Sequence, residues 1–244
     1  MTLTSYQRKL LVRLEKAFSL PVETRINPDS QLVTPDFEST FRTRLLYHHT
    51  VTDEVLNKKS FEYAFRDALK ESRIPAEINI DPTARGYDVY TMDTKFSLKT
   101  EAARGTRDNT IAISKLMECA WLRSVENREA LIVGIKRYVL PHFSQYDRVM
   151  NLQIFRGLET KSVRYVLIEI PKALFESIGE LKAEDFKELG NKHGTSARVS
   201  YAGQIAYSLR FDGSDEKITI SGLRVSLCTI HAMWNIPVVF NEKE

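Results

Sequence analysis

The feature that most constrains this chain is a change of hydrophobic period near residue 78. Before it, apolar residues recur every four positions: Tyr6, Leu10, Leu14 and Phe18; then Phe37, Phe41 and Leu45; then Phe61, Phe65 and Leu69, with Ala64 and Ala68 beside them. That spacing predicts three amphipathic helices, the second opening at Pro35-Asp36 and the third spanning 53–72. After it, Ile78 to Ile80, Tyr87 to Met92 and Lys95 to Glu101 alternate in character, which predicts strands. In the last of these, Phe96, Leu98 and Thr100 point one way while Ser97, Lys99 and Glu101 point the other. A two-residue turn at Asp93-Thr94 joins the second and third strands into a hairpin.

The remaining sequence predicts a helix over 110–124, from Ile113, Leu116, Met117, Ala120 and Trp121, and a doubly buried strand over 130–139. Strands follow at 149–155, 163–170 and 218–230, with a helix near 172–179. The fold class is therefore α/β (α+β), with helices against a central mixed sheet. No internal repeat and no Gly/Ser-rich linker interrupts the 244 residues, so one domain over 1–244 is expected, its C-terminal half (145–240) rich in strands.

Composition removes several classes of protein. With 43% hydrophobic residues, 10 Gly and 8 Pro, the chain is not a low-complexity segment. No uncharged apolar run approaches the ~18 residues of a membrane span, and the first residues lack a signal-peptide core. Cys119 and Cys228 are far apart, giving neither a disulfide framework nor a zinc knuckle, as befits a reducing, cytoplasmic setting. A P-loop, a dinucleotide fingerprint, a zincin helix and a nucleophile elbow are all missing from the sequence. His48 and His49 are adjacent and so diverge on a helix while the other three histidines stand alone, which makes no zinc site, and a net charge of +3 permits an anionic partner without requiring one.

The chemistry concentrates in the hairpin. Asp88 lies on one strand and Lys99 on the next, so the aspartate meets the Ser97/Lys99/Glu101 face. A carboxylate, further oxygen ligands and a lysine at one sheet edge suit Mg²⁺-assisted hydrolysis of a phosphodiester. The lysine positions or deprotonates the attacking water, and the metal offsets charge growing on the phosphate.

From about residue 55 to 140, this layout resembles the PD-(D/E)XK nuclease core, and more narrowly the type II restriction endonucleases. The resemblance implies that Asp88 is the motif aspartate, Lys99 the motif lysine, and the Leu98 carbonyl a further metal ligand. Ser97 stands where Asp or Glu is usual, a Ser-x-Lys variant in which a glutamate from the following helix takes over. Glu118 is the candidate, with Glu101 the rival. Glu62 resembles the acidic residue carried on the first core helix. The pairs Pro28-Asp29 and Pro35-Asp36 are decoys, set in turn or helix-entry positions. The resemblance further implies double-stranded DNA as substrate, Mg²⁺ as cofactor, 5′-phosphate products, and commonly a homodimer, although monomers exist.

DNA contacts are expected from the loop carrying Arg104, Arg107, Asp108 and Asn109, which has the groups to read base edges, and from Lys115, suited to phosphate. Lys192, His193 and Arg198 form a second candidate group, and Arg224 a third. The alternatives are a structure-specific repair or recombination nuclease of the same fold, and a non-catalytic DNA-binding module with steep salt dependence.

Overall fold

The structure, a computed structural model, describes residues 2–81, 86–156 and 162–238. The first half contains α1 (Ser5–Phe18), β1 (Glu23–Ile26), α2 (Pro35–Val51), α3 (Lys58–Glu71), β2 (Glu77–Ile78), β3 (Val89–Tyr90), β4 (Lys95–Glu101) and β5 (Thr110–Glu118). A helix follows in three parts, α4 (Arg128–Gly134), a π-helical turn (Ile135–Val139) and α5 (Leu140–Phe143). Then come β6 (Arg148–Arg156), β7 (Ser162–Ile170), α6 (Lys172–Glu176), β8 (Thr195–Tyr201), β9 (Gln204–Asp212), β10 (Lys217–Arg224) and β11 (Thr229–Pro237).

Two sheets form. The larger has the order β1-β11-β7-β6-β4-β3-β2, and the smaller is β5-β10-β9-β8. Within the larger sheet β4 and β6 are parallel, while its other pairs are antiparallel. This mixed sheet flanked by helices is consistent with a restriction-endonuclease-like fold. One of its faces packs against α2 and α3, where Phe37, Phe41, Phe61 and Phe65 meet Phe96, Leu98, Met150, Leu152 and Trp234. On the other face Val149, Val166, Ile168 and Ile170 join the apolar side of the smaller sheet and the helices α4 to α6. Among the described residues no helix is long and apolar enough to cross a membrane.

Two expected elements take the opposite form. Residues 110–118 are strand, not helix: Ile111 and Ile113 are buried while Ala112 and Ser114 are exposed. A bulge against β10 then breaks the alternation, because Ile220 faces Ile113 while Ile218 faces Met117. The bulge shifts Leu116 and Met117 into a spacing that imitates a helix; only Ala120–Ser124 is helical, as a short 3-10 turn.

The run Ala130 to Val139 is helical, not strand. Asn127 caps it by accepting from the Ala130 N–H at 2.8 Å, and Leu131, Ile135, Val139 and Phe143 form its buried stripe. Val133 is left 64% exposed, a placement that a doubly buried strand would not allow. Gly134 is required here, since a Cβ would lie 2.1 Å from the Trp121 ring. Pro141 has no N–H to continue the regular ladder, and the Leu140 N–H reaches five residues back to the Ile135 carbonyl. The expected strand at 218–230 is also divided, into β10 and β11, by a 3-10 turn at Val225–Leu227.

Candidate active site

The hairpin that holds Asp88 differs from expectation by two residues. Tyr90 pairs with Lys95 and Val89 with Phe96, so four residues, Thr91 to Thr94, make the connection. Thr91 closes it, its N–H donating to the Thr94 carbonyl at 2.8 Å. A shift of two preserves the face of every side chain, whereas a shift of one would have turned Asp88 away.

Asp88 is half-buried and held at both carboxylate oxygens. Oδ2 accepts from the Leu98 N–H at 2.6 Å and Oδ1 accepts from Lys58 Nζ at 2.7 Å. The same Lys58 amine lies 3.8 Å from Glu62 Oε1, and Lys59 Nζ donates to Glu62 Oε2 at 2.9 Å. Both lysines belong to the first turn of α3, which Asn57 caps by accepting from the Ser60 N–H at 2.8 Å. Phe61 and Phe65 bury that helix in the core, and Glu62, only 7% exposed, is carried with them.

Lys99 completes the group. Burial pushes its amine down to about 8, aided by Lys58 and Lys115 and opposed by the carboxylates of Asp88 and Glu62. The negative charges acting on Lys99 thus come from two carboxylates, one on the hairpin and one on α3. Lys58 was not anticipated from the sequence; its one signal is the four-residue spacing to Glu62 at the start of a helix.

The other anticipated residues are distributed as follows. Glu101 lies two residues beyond Lys99, and its carboxylate accepts from Gln153 Nε2 at 2.8 Å. Burial raises its pKa, opposed by the hydrogen bonds from Gln153 and the Ala112 N–H. Ser97 is buried. Glu118 stands exposed at the end of β5, accepting from Lys115 Nζ at 2.5 Å. Lys115 therefore projects from a strand, and not from the first turns of a helix. Among the described residues, no group of three or more His, Cys, Asp or Glu side chains is arranged to hold a metal ion.

Arg104, Arg107, Asp108 and Asn109 are exposed in the loop between β4 and β5. Gln153 Nε2 also donates to the Thr110 carbonyl at 2.8 Å, tying the base of this loop to Glu101. Asp108 pairs with Arg164. Arg224 faces Thr110 across the β5–β10 ladder, and the Val225 N–H donates to the Asn109 carbonyl at 3.1 Å, so Arg224 adjoins the same loop. Lys192 and His193 lie at the other end of the smaller sheet, where His193 Nδ1 meets the Val125 carbonyl at 2.5 Å. Both adopt positive φ, near 60°. Arg198 is exposed on β8, midway between the two ends.

Comparisons with known proteins identify the family. A family model described as SmaI, type II site-specific deoxyribonuclease, matches residues 4–236. The type II restriction enzyme SmaI of Serratia marcescens is 30% identical over 238 residues, covering 96% of this chain and 92% of that enzyme. No solved structure matches the chain. The chain therefore belongs to the SmaI family of type II site-specific deoxyribonucleases, enzymes whose partner is DNA.

Proposed function

We propose that this deoxyribonuclease hydrolyses double-stranded DNA at a defined sequence in a Mg²⁺-dependent reaction, leaving 5′-phosphate and 3′-hydroxyl ends. Asp88, Glu62 and Lys99 form its centre, in the manner of PD-(D/E)XK nucleases. The observation that carries this reading is that two carboxylates, from the hairpin and from α3, share the Lys58 ammonium and both act electrostatically on Lys99.

The donor set fits a divalent ion. Mg²⁺ takes hard oxygen ligands, retains several waters and is commonly held by one or two carboxylates plus substrate phosphate. The Lys58 ammonium already bridges Asp88 and Glu62, so the pair accepts positive charge between them. The Leu98 N–H points at Asp88, and the carbonyl of the same strand residue leaves the backbone on the same side, offering a third oxygen. A divalent ion bound there would supply charge against the developing phosphorane.

The chain's own groups do the rest. The Leu98 N–H fixes the orientation of Asp88. Lys99 Nζ, shifted to about 8, takes a proton from the attacking water near neutral pH, which an ordinary lysine does poorly. The P–O bond to water forms as the P–O3′ bond breaks in line, and the departing 3′ oxygen takes its proton from solvent. Arg104, Arg107, Asp108 and Asn109, with Arg224 beside them, form the surface suited to base edges, and Lys115, whose charge acts on Lys99, is suited to phosphate.

The test is digestion of phage DNA with Mg²⁺. Discrete, reproducible fragments with 5′-phosphate ends are expected from the wild type, and none from folded Asp88→Ala or Lys99→Ala. Cleavage surviving in both variants would place the site elsewhere.

A further inference from the structure

The face of the larger sheet that carries Lys99 contains one unexplained residue. In the parallel β4–β6 ladder, Ser97 lies beside Val149, Lys99 beside Asn151, and Glu101 beside Gln153. Alternate residues of the same strands, Leu98, Met150 and Leu152, face the core under α2 and α3. Lys99, Asn151, Glu101 and Gln153 therefore share the opposite face.

Gln153 is fully used, donating to Glu101 and to the Thr110 carbonyl. Asn151 is not. It is 0% exposed, and neither its Oδ1 nor its Nδ2 has a hydrogen-bond partner among the described residues. Its neighbour on the other strand is Ile168, and Val149 precedes it on the same face, so its surroundings are otherwise apolar. A buried amide without partners is penalised by desolvation, and a leucine, which has the same heavy-atom branching, would avoid that penalty. Packing alone does not account for asparagine here. Its one ionisable cross-strand neighbour is Lys99.

We propose that Asn151 is a positioning residue for Lys99. Its Oδ1 accepts a hydrogen bond from a water that the Lys99 amine donates to, and so holds that amine towards the Asp88–Glu62 pair. The inference rests on the reading of Lys99 given under Proposed function. Four flexible torsions separate the lysine amine from its backbone, so Asp88 and Glu62 on one side leave its position underdetermined. An acceptor on the β6 side fixes the second direction. Small displacements of a reacting group are expensive in rate.

The experiment compares Asn151→Leu and Asn151→Asp with the wild type. Single-turnover cleavage of a plasmid, DNA affinity measured with Ca²⁺ in place of Mg²⁺, and thermal unfolding are read on each protein. Asn151→Leu should cleave roughly 10–100-fold more slowly, the range typical of lost supporting hydrogen bonds around a centre. Its DNA affinity should be unchanged and its Tm equal to or above that of the wild type. Asn151→Asp keeps an acceptor beside the amine and should stay within about 5-fold of the wild-type rate. Wild-type cleavage by Asn151→Leu, equal impairment of both variants, or a rate loss matched by lost folding would overturn the proposal. Lys99→Ala separates the two levels. If it too cleaves normally, the reading of Lys99 is at fault; if it is inactive while Asn151→Leu is normal, only the role of Asn151 falls.

Discussion

Acid should loosen the part of the fold that presents Glu62, and His49 is the trigger. His49 is 0% exposed on α2, its Nε2 lying 2.7 Å from the Tyr165 hydroxyl. The same hydroxyl accepts from the Leu56 N–H at 3.2 Å, immediately before the Asn57 cap of the helix that carries Lys58 and Glu62. Burial first, then the charges of His48 and Arg156, lower the His49 pKa from 6.5 to about 4. The unfolded chain therefore binds more protons between pH 6.5 and 4, and stability falls as pH falls through that window. Linkage gives a loss of roughly 2 kcal/mol between pH 7 and pH 4.5 from this residue. Urea unfolding at the two pH values, for the wild type and for His49→Gln, isolates it. Glutamine can still meet the tyrosine hydroxyl and does not titrate, so its pH-dependent loss should be smaller by roughly 2 kcal/mol. Equal losses in the two proteins would refute the reasoning.

Three further outcomes follow from the same contacts. Lys58→Met removes the ammonium between Asp88 and Glu62; because Lys58 is 46% exposed, the gain should be modest, up to about 5-fold tighter Mn²⁺ binding by calorimetry. Asn57→Ala should lower unfolding stability in urea by about 1 kcal/mol through loss of the α3 cap, with m unchanged. Gln153→Leu leaves Glu101 and the Thr110 carbonyl without their donor and should cost about 2 kcal/mol in the same assay.

Much of the first half was legible because its signals are local. The four-residue stripes of Phe37, Phe41 and Leu45, and of Phe61, Phe65 and Leu69, need only one helix each to express them, and α2 and α3 lie where those stripes fall. The faces of β4 were likewise readable from alternation, which survives a two-residue error in the turn. The failures occurred where a neighbour interrupts the local rule. A bulge against β10 disguised β5 as a helix, and a β-branched run obscured the stripe of Leu131, Ile135, Val139 and Phe143. Asp88 and Lys99 were identifiable as candidates from the hairpin pattern, and Glu62 from the resemblance to PD-(D/E)XK nucleases. Lys58, Gln153 and Asn151 were not, because their relation to the site depends on the fold around α3 or on the parallel register of β6 beside β4, a pairing between segments about fifty residues apart.

The central claim is that Glu62, carried by α3, partners Asp88 in holding the metal. Calorimetric Mn²⁺ titration of the wild type, Asp88→Asn, Glu62→Gln and Glu118→Gln addresses it directly. Loss of binding in Asp88→Asn and Glu62→Gln, with wild-type affinity in Glu118→Gln, is the predicted pattern. Unimpaired binding by Glu62→Gln together with its loss in Glu118→Gln would contradict the account.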